Sequence, residues 1–292
     1  MHTAFIQGQH AQVLDFDTSI FSAANQAAAR ILKYRSQLAL HDYASVESSI
    51  GVSQATNDPS LAAIKAYALY AASNYTSELA VKSALHYAST ASDNLTVQLL
   101  CSAILFRADH AEEALQLLGN HQGSLDAVAM AVQIHLSQNR TDLAKKEAAS
   151  ARSFAQDALL VNILESWIAV REGGDAKYQS AFYVFEELAQ GPASSSASSL
   201  IAQAVSELHL GRYPEAETAL MGALEVDGDN VVALANAAVL YTCTGDVAKA
   251  LEMKTRLLAV KGGEQTEFAK GLAEKRDLFA AASEKYQAKI EV

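Results

Sequence analysis

The side chains that could do chemistry are few in this chain, and they are poorly spaced for it. Eight histidines are scattered along it, and no two stand at ligand spacing with a carboxylate between them. His110 and Glu113 share one helix face, but a metal needs more ligands, and such a pair is ordinarily a solvated surface. Asp227 and Asp229 resemble the start of a calcium loop. The glycine and the distal glutamate of that loop are not at the required offsets, so DGDN at 227–230 reads as a helix-capping turn. No nucleophile elbow, phosphate-binding loop or dinucleotide fingerprint occurs. The sequence therefore predicts no catalytic residue, no metal, no cofactor and no enzyme. Cys101 and Cys243 each lie in an apolar helical pattern and are expected as two buried thiols rather than a disulfide.

What remains is the chemistry of binding, and it depends on how helices present side chains. Gly211 and Gly245 are 245 − 211 = 34 residues apart, as are Ala216 and Ala250. Between these marks the chain reads as apolar helix, turn, second apolar helix and polar loop, the signature of a tetratricopeptide array. In the unit at 197–230, Leu200, Ile201, Ala204, Val205 and Leu208 make the first helix apolar on more than one side, so neighbours must cover both flanks. Gly211 supplies a left-handed turn, and the second helix starts near Tyr213 with Pro214 in its first turn. Ala216, Leu220, Ala223 and Leu224 form its buried stripe, with Ala216 small where the two helices approach most closely.

The same plan extends over the chain. Helix pairs are predicted at 20–40 with 44–50, 59–72 with 76–91, 95–107 with 110–118, 125–138 with 141–154, 157–171 with 178–190, and 231–244 with 247–260. The small position falls on Ala114, Ala144 and Ala181 in three of them. Residues 1–50 read as an atypical first repeat, and 51–59 and the serine-rich 191–199 as loops, the sequence leaving open whether the latter is ordered. Residues 264–292 read as a charged cap made of one more pair, 265–275 and 276–290. The expected fold is all-α, a single solenoid domain over 1–292 curved into a superhelix or bracelet. A net charge of −11 without a basic block argues against nucleic acid or direct contact with anionic membrane. No apolar run of membrane-spanning length and no signal-like N-terminus occurs, which predicts a cytoplasmic protein. The sequons at Asn74, Asn94 and Asn139 then read as chance matches.

In such an array the first helices line the concave surface. Aligned on the turns, the inward positions are Leu99, Phe106 and Arg107, then Gln133 and Leu136, then Ile163, Trp167, Val170 and Arg171. In the later repeats they are Ile201, Val205, Leu208 and His209, then Val232 and Val239. Any of these also suits ordinary helix packing, and Trp167, the one tryptophan, is the sharpest case. So apolar a face implies either a partner or closure of the array on itself. It does not suit capture of a C-terminal carboxylate, which needs Lys, Arg and Asn where this chain has Ile201, Val205, Val232 and Val239, with Asn236 alone matching.

Three segments give the chain a resemblance to a known family: AMAVQIHLSQNRTDLAKKE at 129–147, the Trp167 helix followed by GG and SAFYVFEELA at 180–189, and LGRYPEAETALMGAL at 210–224. With TAFIQGQHAQVL at 3–14, they resemble the epsilon subunit of coatomer, the COPI vesicle coat. The resemblance implies a non-enzymatic coat subunit whose repeats encircle a β-hairpin from the C-terminal domain of the alpha subunit. It further implies membership of the heptameric coat, peripheral location on Golgi membranes and COPI vesicles with indirect membrane contact, and a role in retrograde Golgi-to-ER and intra-Golgi traffic. Two other classes fit the residues alone: an adaptor or co-chaperone of this repeat type that captures short peptides, and, more weakly, a helical enzyme.

Overall fold

The structure, a computed structural model, describes residues 1–191 and 196–286, and among these every regular element is helical. Two compact units emerge, Met1–Ser199 and Leu200–Val292. The first begins with two short helices, α1 (His2–Ile6) and α2 (His10–Asp15). They are followed by α3 (Ala23–Ala39), α4 (Tyr43–Ser49) and α5 (Val52–Asn57), then by α6 (Pro59–Ala72) with α7 (Glu78–Thr90). Three antiparallel pairs follow: α8 (Leu95–Arg107) with α9 (Ala111–Leu118), α10 (Leu125–Ser137) with α11 (Thr141–Phe154), and α12 (Leu159–Glu172) with α13 (Asp175–Gln190). Helix α14 (Ala197–His209) begins the 34-residue unit and leads in the second unit to α15 (Tyr213–Val226), α16 (Val231–Thr244), α17 (Val247–Ala259) and α18 (Glu267–Ser283).

Five of the pairs turn by a common device. At each of five turns the chain takes a positive φ: His41 at 61°, Asn74 at 55° with Tyr75 at 63° after it, Asp109 at 64°, Asn139 at 60° and Gly211 at 72°. The N–H of the residue after the first such position donates to the carbonyl five positions back: Asp42 to Gln37, Tyr75 to Tyr70, His110 to Leu105, Arg140 to His135 and Arg212 to Glu207, at 2.8–3.0 Å. Each bond satisfies a helix-end carbonyl and reverses the chain in three residues. Two of the sequons thereby acquire a structural role as turn formers. The third, Asn94, caps α8 by accepting from the Thr96 and Val97 N–H groups.

Close approach follows from small residues. Ala114, Ala144, Ala181 and Ala216 are all fully or almost fully buried on the second helices of their pairs, as the sequence predicts. In the α8–α9 pair the Ser102 hydroxyl donates across to the Ala114 carbonyl at 3.2 Å. Apolar clusters then run through the stack. Leu38, Val46, Ile50, Leu61 and Ile64 join α3 to α6; Tyr70, Ala84, Val97, Ile104 and Leu117 join α6 to α9; Val128, Val132, Ala148, Leu164 and Ile168 join α10 to α12. In the second unit Leu220, Leu234, Tyr241, Met253 and Leu257 play the same part.

Three expectations are corrected. Residues 51–59 are not a loop: Gly51 N-caps α5, and the Gln54 side chain returns to accept from the Gly51 N–H at 3.3 Å. The end of the chain is not a helix pair broken at Lys275. A 3-10 turn at Gly263–Gln265 precedes the continuous α18, because nothing between Lys275 and Arg276 stops a helix while Phe268, Leu272 and Phe279 keep one apolar register. Cys243, next to the end of α16, is exposed, whereas Cys101 is buried and its thiol is pushed up to about 12 by burial. The loop expected at 191–199 and the helix expected to reach 290 fall partly outside the described residues.

The buried Ala216 gives a direct test of this packing. Ala216→Leu should cost roughly 1–3 kcal/mol through overpacking, read as a lowered midpoint in urea with an unchanged slope.

Candidate partner-binding face

Each predicted contact residue sits on the first helix of a pair, but the helices bury them unequally. On α8, Leu99 is in the core at 8 % exposure, Phe106 is half-buried, and Arg107 is exposed with its guanidinium 4.3 Å from the Tyr75 ring centroid. On α10, Gln133 is exposed and Leu136 packs half-buried on the α10–α12 cluster. On α12, Ile163 is in the core, Trp167 is half-buried on the same cluster as Leu136, and Val170 is half-buried. Arg171 is exposed and donates to the Asn139 side-chain carbonyl, tying the end of α12 to the preceding left-handed turn. The first unit therefore gathers Leu136 and Trp167 on one cluster, while Leu99 and Ile163 are buried as packing.

The aromatic surroundings of Arg107 were not foreseen. Tyr43, Tyr67 and Tyr75 collect there from α4, α6 and the α6–α7 turn, and the Tyr43 hydroxyl lies 2.7 Å from His41 Nδ1. Burial, then the neighbouring Tyr75, push the Tyr43 phenol well above its ordinary value, so it stays a neutral donor. Tyr and Arg are the side chains that most often anchor protein interfaces. The available signal was a tyrosine recurring within two residues of a turn, in HDY and SNY.

The N-terminal helices return to this region. Ile6 packs on the cluster of Val128, Val132, Leu164 and Ile168. Arg35 of α3 bonds Asp126, in the first turn of α10, at 3.1 Å, and its guanidinium lies 4.6 Å from the Phe5 ring. His2 Nε2 is 3.7 Å from the same carboxylate. A Cβ on Gly8, whose φ is +78°, would come within 3.1 Å of Ser196 Cβ. The first unit thus closes on itself, one of the two outcomes expected of so apolar a face.

In the second unit the outcome differs. Ile201 is core, Val205 and Leu208 are half-buried and His209 is exposed. Val232 and Val239, at 52 % and 38 % exposure, stay uncovered. They line a cavity of about 270 Å³ with Val231, Ala235, Asn236 and, from the start of α18, Thr266, Glu267 and Phe268. The Asn236 amide donates to the Val232 carbonyl of its own helix at 2.9 Å, which occupies the one residue that matched a carboxylate clamp. Among the described residues no cluster could hold a metal, and His110 Nδ1 lies 3.2 Å from the Glu113 carboxylate at the surface.

Stacked antiparallel helix pairs with an apolar first-helix face define the fold as a helical-repeat array. The fold has a solved counterpart in the crystal structure of the APC/C hetero-tetramer Cut9–Hcn1, at a TM-score of 0.60 and 14 % identity. That match covers 92 % of this chain and 52 % of the other. The model of the coatomer epsilon subunit family matches residues 1–287. Coatomer subunit epsilon-1 of Arabidopsis thaliana is 30 % identical over 220 residues, 75 % of this chain and 72 % of the relative. The probable coatomer subunit epsilon of Schizosaccharomyces pombe is 28 % identical over 241 residues, 82 % of this chain and 78 % of the relative. The chain belongs to the coatomer epsilon subunit family, and as such it is a structural component of the COPI coat and not an enzyme. No helix among the described residues is long and apolar enough to cross a membrane.

Two outcomes test this geometry. Trp167→Ala, which strips a half-buried ring from the α10–α12 cluster, should cost about 3 kcal/mol, measured by denaturant unfolding. Burial holds the imidazoles of His10 and His135 below their ordinary value, and the Nδ1 atom of each is buried without a partner. The unfolded chain then binds more protons, so stability is full above about pH 6.5 and is lost as pH falls through the depressed values. Asp142, held at about 2 by its bond with Arg140, keeps its contribution across this range and loses it only as pH falls below the ordinary carboxylate value. Melting curves should therefore shift downward between pH 7.5 and 5, and His135→Gln should shrink that shift.

Proposed function

We propose that this chain is the coat subunit that holds the C-terminal domain of the alpha subunit of coatomer, and that the array over 1–292 acts as one domain in doing so. The observation that carries the reading is the uncovered apolar lining of the second unit. Val232, Val239 and Phe268 border an open cavity beside no catalytic group. Exposed apolar side chains arranged around a cavity mark an interaction site rather than a solvated surface. The partner segment is a projecting β-hairpin whose apolar side chains enter the face formed by the first helices. Through this partner the chain joins the heptameric coat on the cytoplasmic side of Golgi membranes. There it supports retrograde traffic to the endoplasmic reticulum and traffic within the Golgi. Its charge of −11 suits contact with the membrane through partners and not directly.

Co-expression with the alpha C-terminal domain, followed by size-exclusion chromatography, tests the proposal. The two chains should co-elute at micromolar concentration, and separate elution would overturn the reading. Val239→Glu, which places a charge in the cavity wall, should weaken the complex at least tenfold. Its melting temperature should stay within about 2 °C of the parent, since exposed substitutions rarely exceed 0.5 kcal/mol.

A further inference from the structure

The joint between α3 and α10, like the approach of the Gly8 turn to Ser196, links parts of the first unit that are far apart along the stack. In a helical-repeat stack each pair rests on its neighbours, and the clusters from α3 to α12 follow that rule. Arg35 and Asp126 are 91 residues apart and lie on elements that are not neighbours in the stack. What joins them is a handful of side chains: the 3.1 Å ion pair, the Phe5 ring under the guanidinium, His2 on the carboxylate and Ile6 on the α10–α12 cluster. The two helices that carry these groups, α1 and α2, have five and six residues. Separating this joint breaks none of the clusters that hold one repeat to the next. Local opening of this kind draws on the cost of the clasp alone and not on the stability of the unit.

The joint also lies where a partner would need access. Ile6 rests on the cluster to which Leu136 and Trp167 belong. Both partners of the ion pair are largely withdrawn from water, at 18 % and 13 % side-chain exposure, so salt screens the pair only in part.

We propose that Arg35, Asp126 and the N-terminal helices form a latch that closes the first unit and opens to admit or release the partner segment. This inference rests on the reading that the first-helix face receives that segment. A latch that closes alike over the free and the occupied unit slows entry and exit together and leaves affinity unchanged. That signature separates it from an ordinary contact surface, whose loss raises the off-rate alone.

The first measurement needs no partner. Trp167 is the only tryptophan and packs on the cluster that Ile6 covers. Arg35→Ala should increase the quenching of its fluorescence by acrylamide about twofold, with unchanged helical circular dichroism. Unchanged quenching would overturn the proposal whether or not the alpha C-terminal domain binds. The second measurement is kinetic, with immobilised alpha C-terminal domain. Arg35→Ala should raise association and dissociation rates together by about fivefold or more, with Kd within threefold. A change confined to dissociation, or no change, would overturn the latch.

A third experiment fixes the joint. In a Cys243→Ser background, which removes the exposed native thiol, Arg35→Cys and Asp126→Cys are bridged with a short bismaleimide. Bridging before mixing should abolish binding, and bridging after mixing should abolish release. Normal binding by the pre-bridged chain would sink the idea. Without the bridge, the double variant should show the fast exchange of Arg35→Ala, and slow exchange would count against the latch.

Discussion

The architecture depends on one backbone hydrogen bond made repeatedly, from the residue after a left-handed turn to the carbonyl five positions earlier. That bond ends the first helix of a pair without leaving its last carbonyls unpaired, and it points the second helix back along the first. Only then do Ala114, Ala144 and Ala216 meet the facing helix closely enough to be fully covered. The apolar clusters come next, because a first helix sandwiched between its own partner and the following pair can be apolar on both flanks. Val128 and Val132 face one way from α10 while Ala127, Ala131 and Ile134 belong to the cluster on the other side.

The same double coverage explains how the array divides its apolar residues between stability and binding. Leu99, Ile163 and Ile201 point between helices and are consumed by packing. Residues one or two positions away are left partly free, and Val232 and Val239 are the clearest instances. Charged side chains pair on and between helices: Lys249 of α17 reaches Glu217 of α15 at 3.3 Å, and Arg152 of α11 grips Glu165 of α12.

Much of the fold was legible in the residues. The 34-residue offset between Gly211 and Gly245 fixed the repeat, and the start of α15 falls on Tyr213 as expected. Other turns were harder to read as instances of one device, because His41, Asn74, Asp109 and Asn139 occupy the position that glycine holds later. Helix α5 was read as loop because its glycine and polar residues are ordinary turn formers; the return of Gln54 to the Gly51 N–H is what makes a helix of them. The N-terminal closure left no trace in periodicity, since a contact such as Arg35 with Asp126 depends on how the intervening repeats accumulate curvature. The face itself was legible as a stripe but not residue by residue. A slip of one position along α8, α12 or α14 exchanges a groove residue for a core one.

Four of the left-handed turn positions, His41, Asn74, Asp109 and Asn139, carry a Cβ where glycine would hold the same backbone without a steric penalty. Each stores strain of about 1 kcal/mol, offset locally by the hydrogen bonds that the turn completes. The turns therefore form a set of adjustable springs between the helices of a pair. Through them, thermal tolerance can drift in evolution, or be raised by design, while the helices stay as they are.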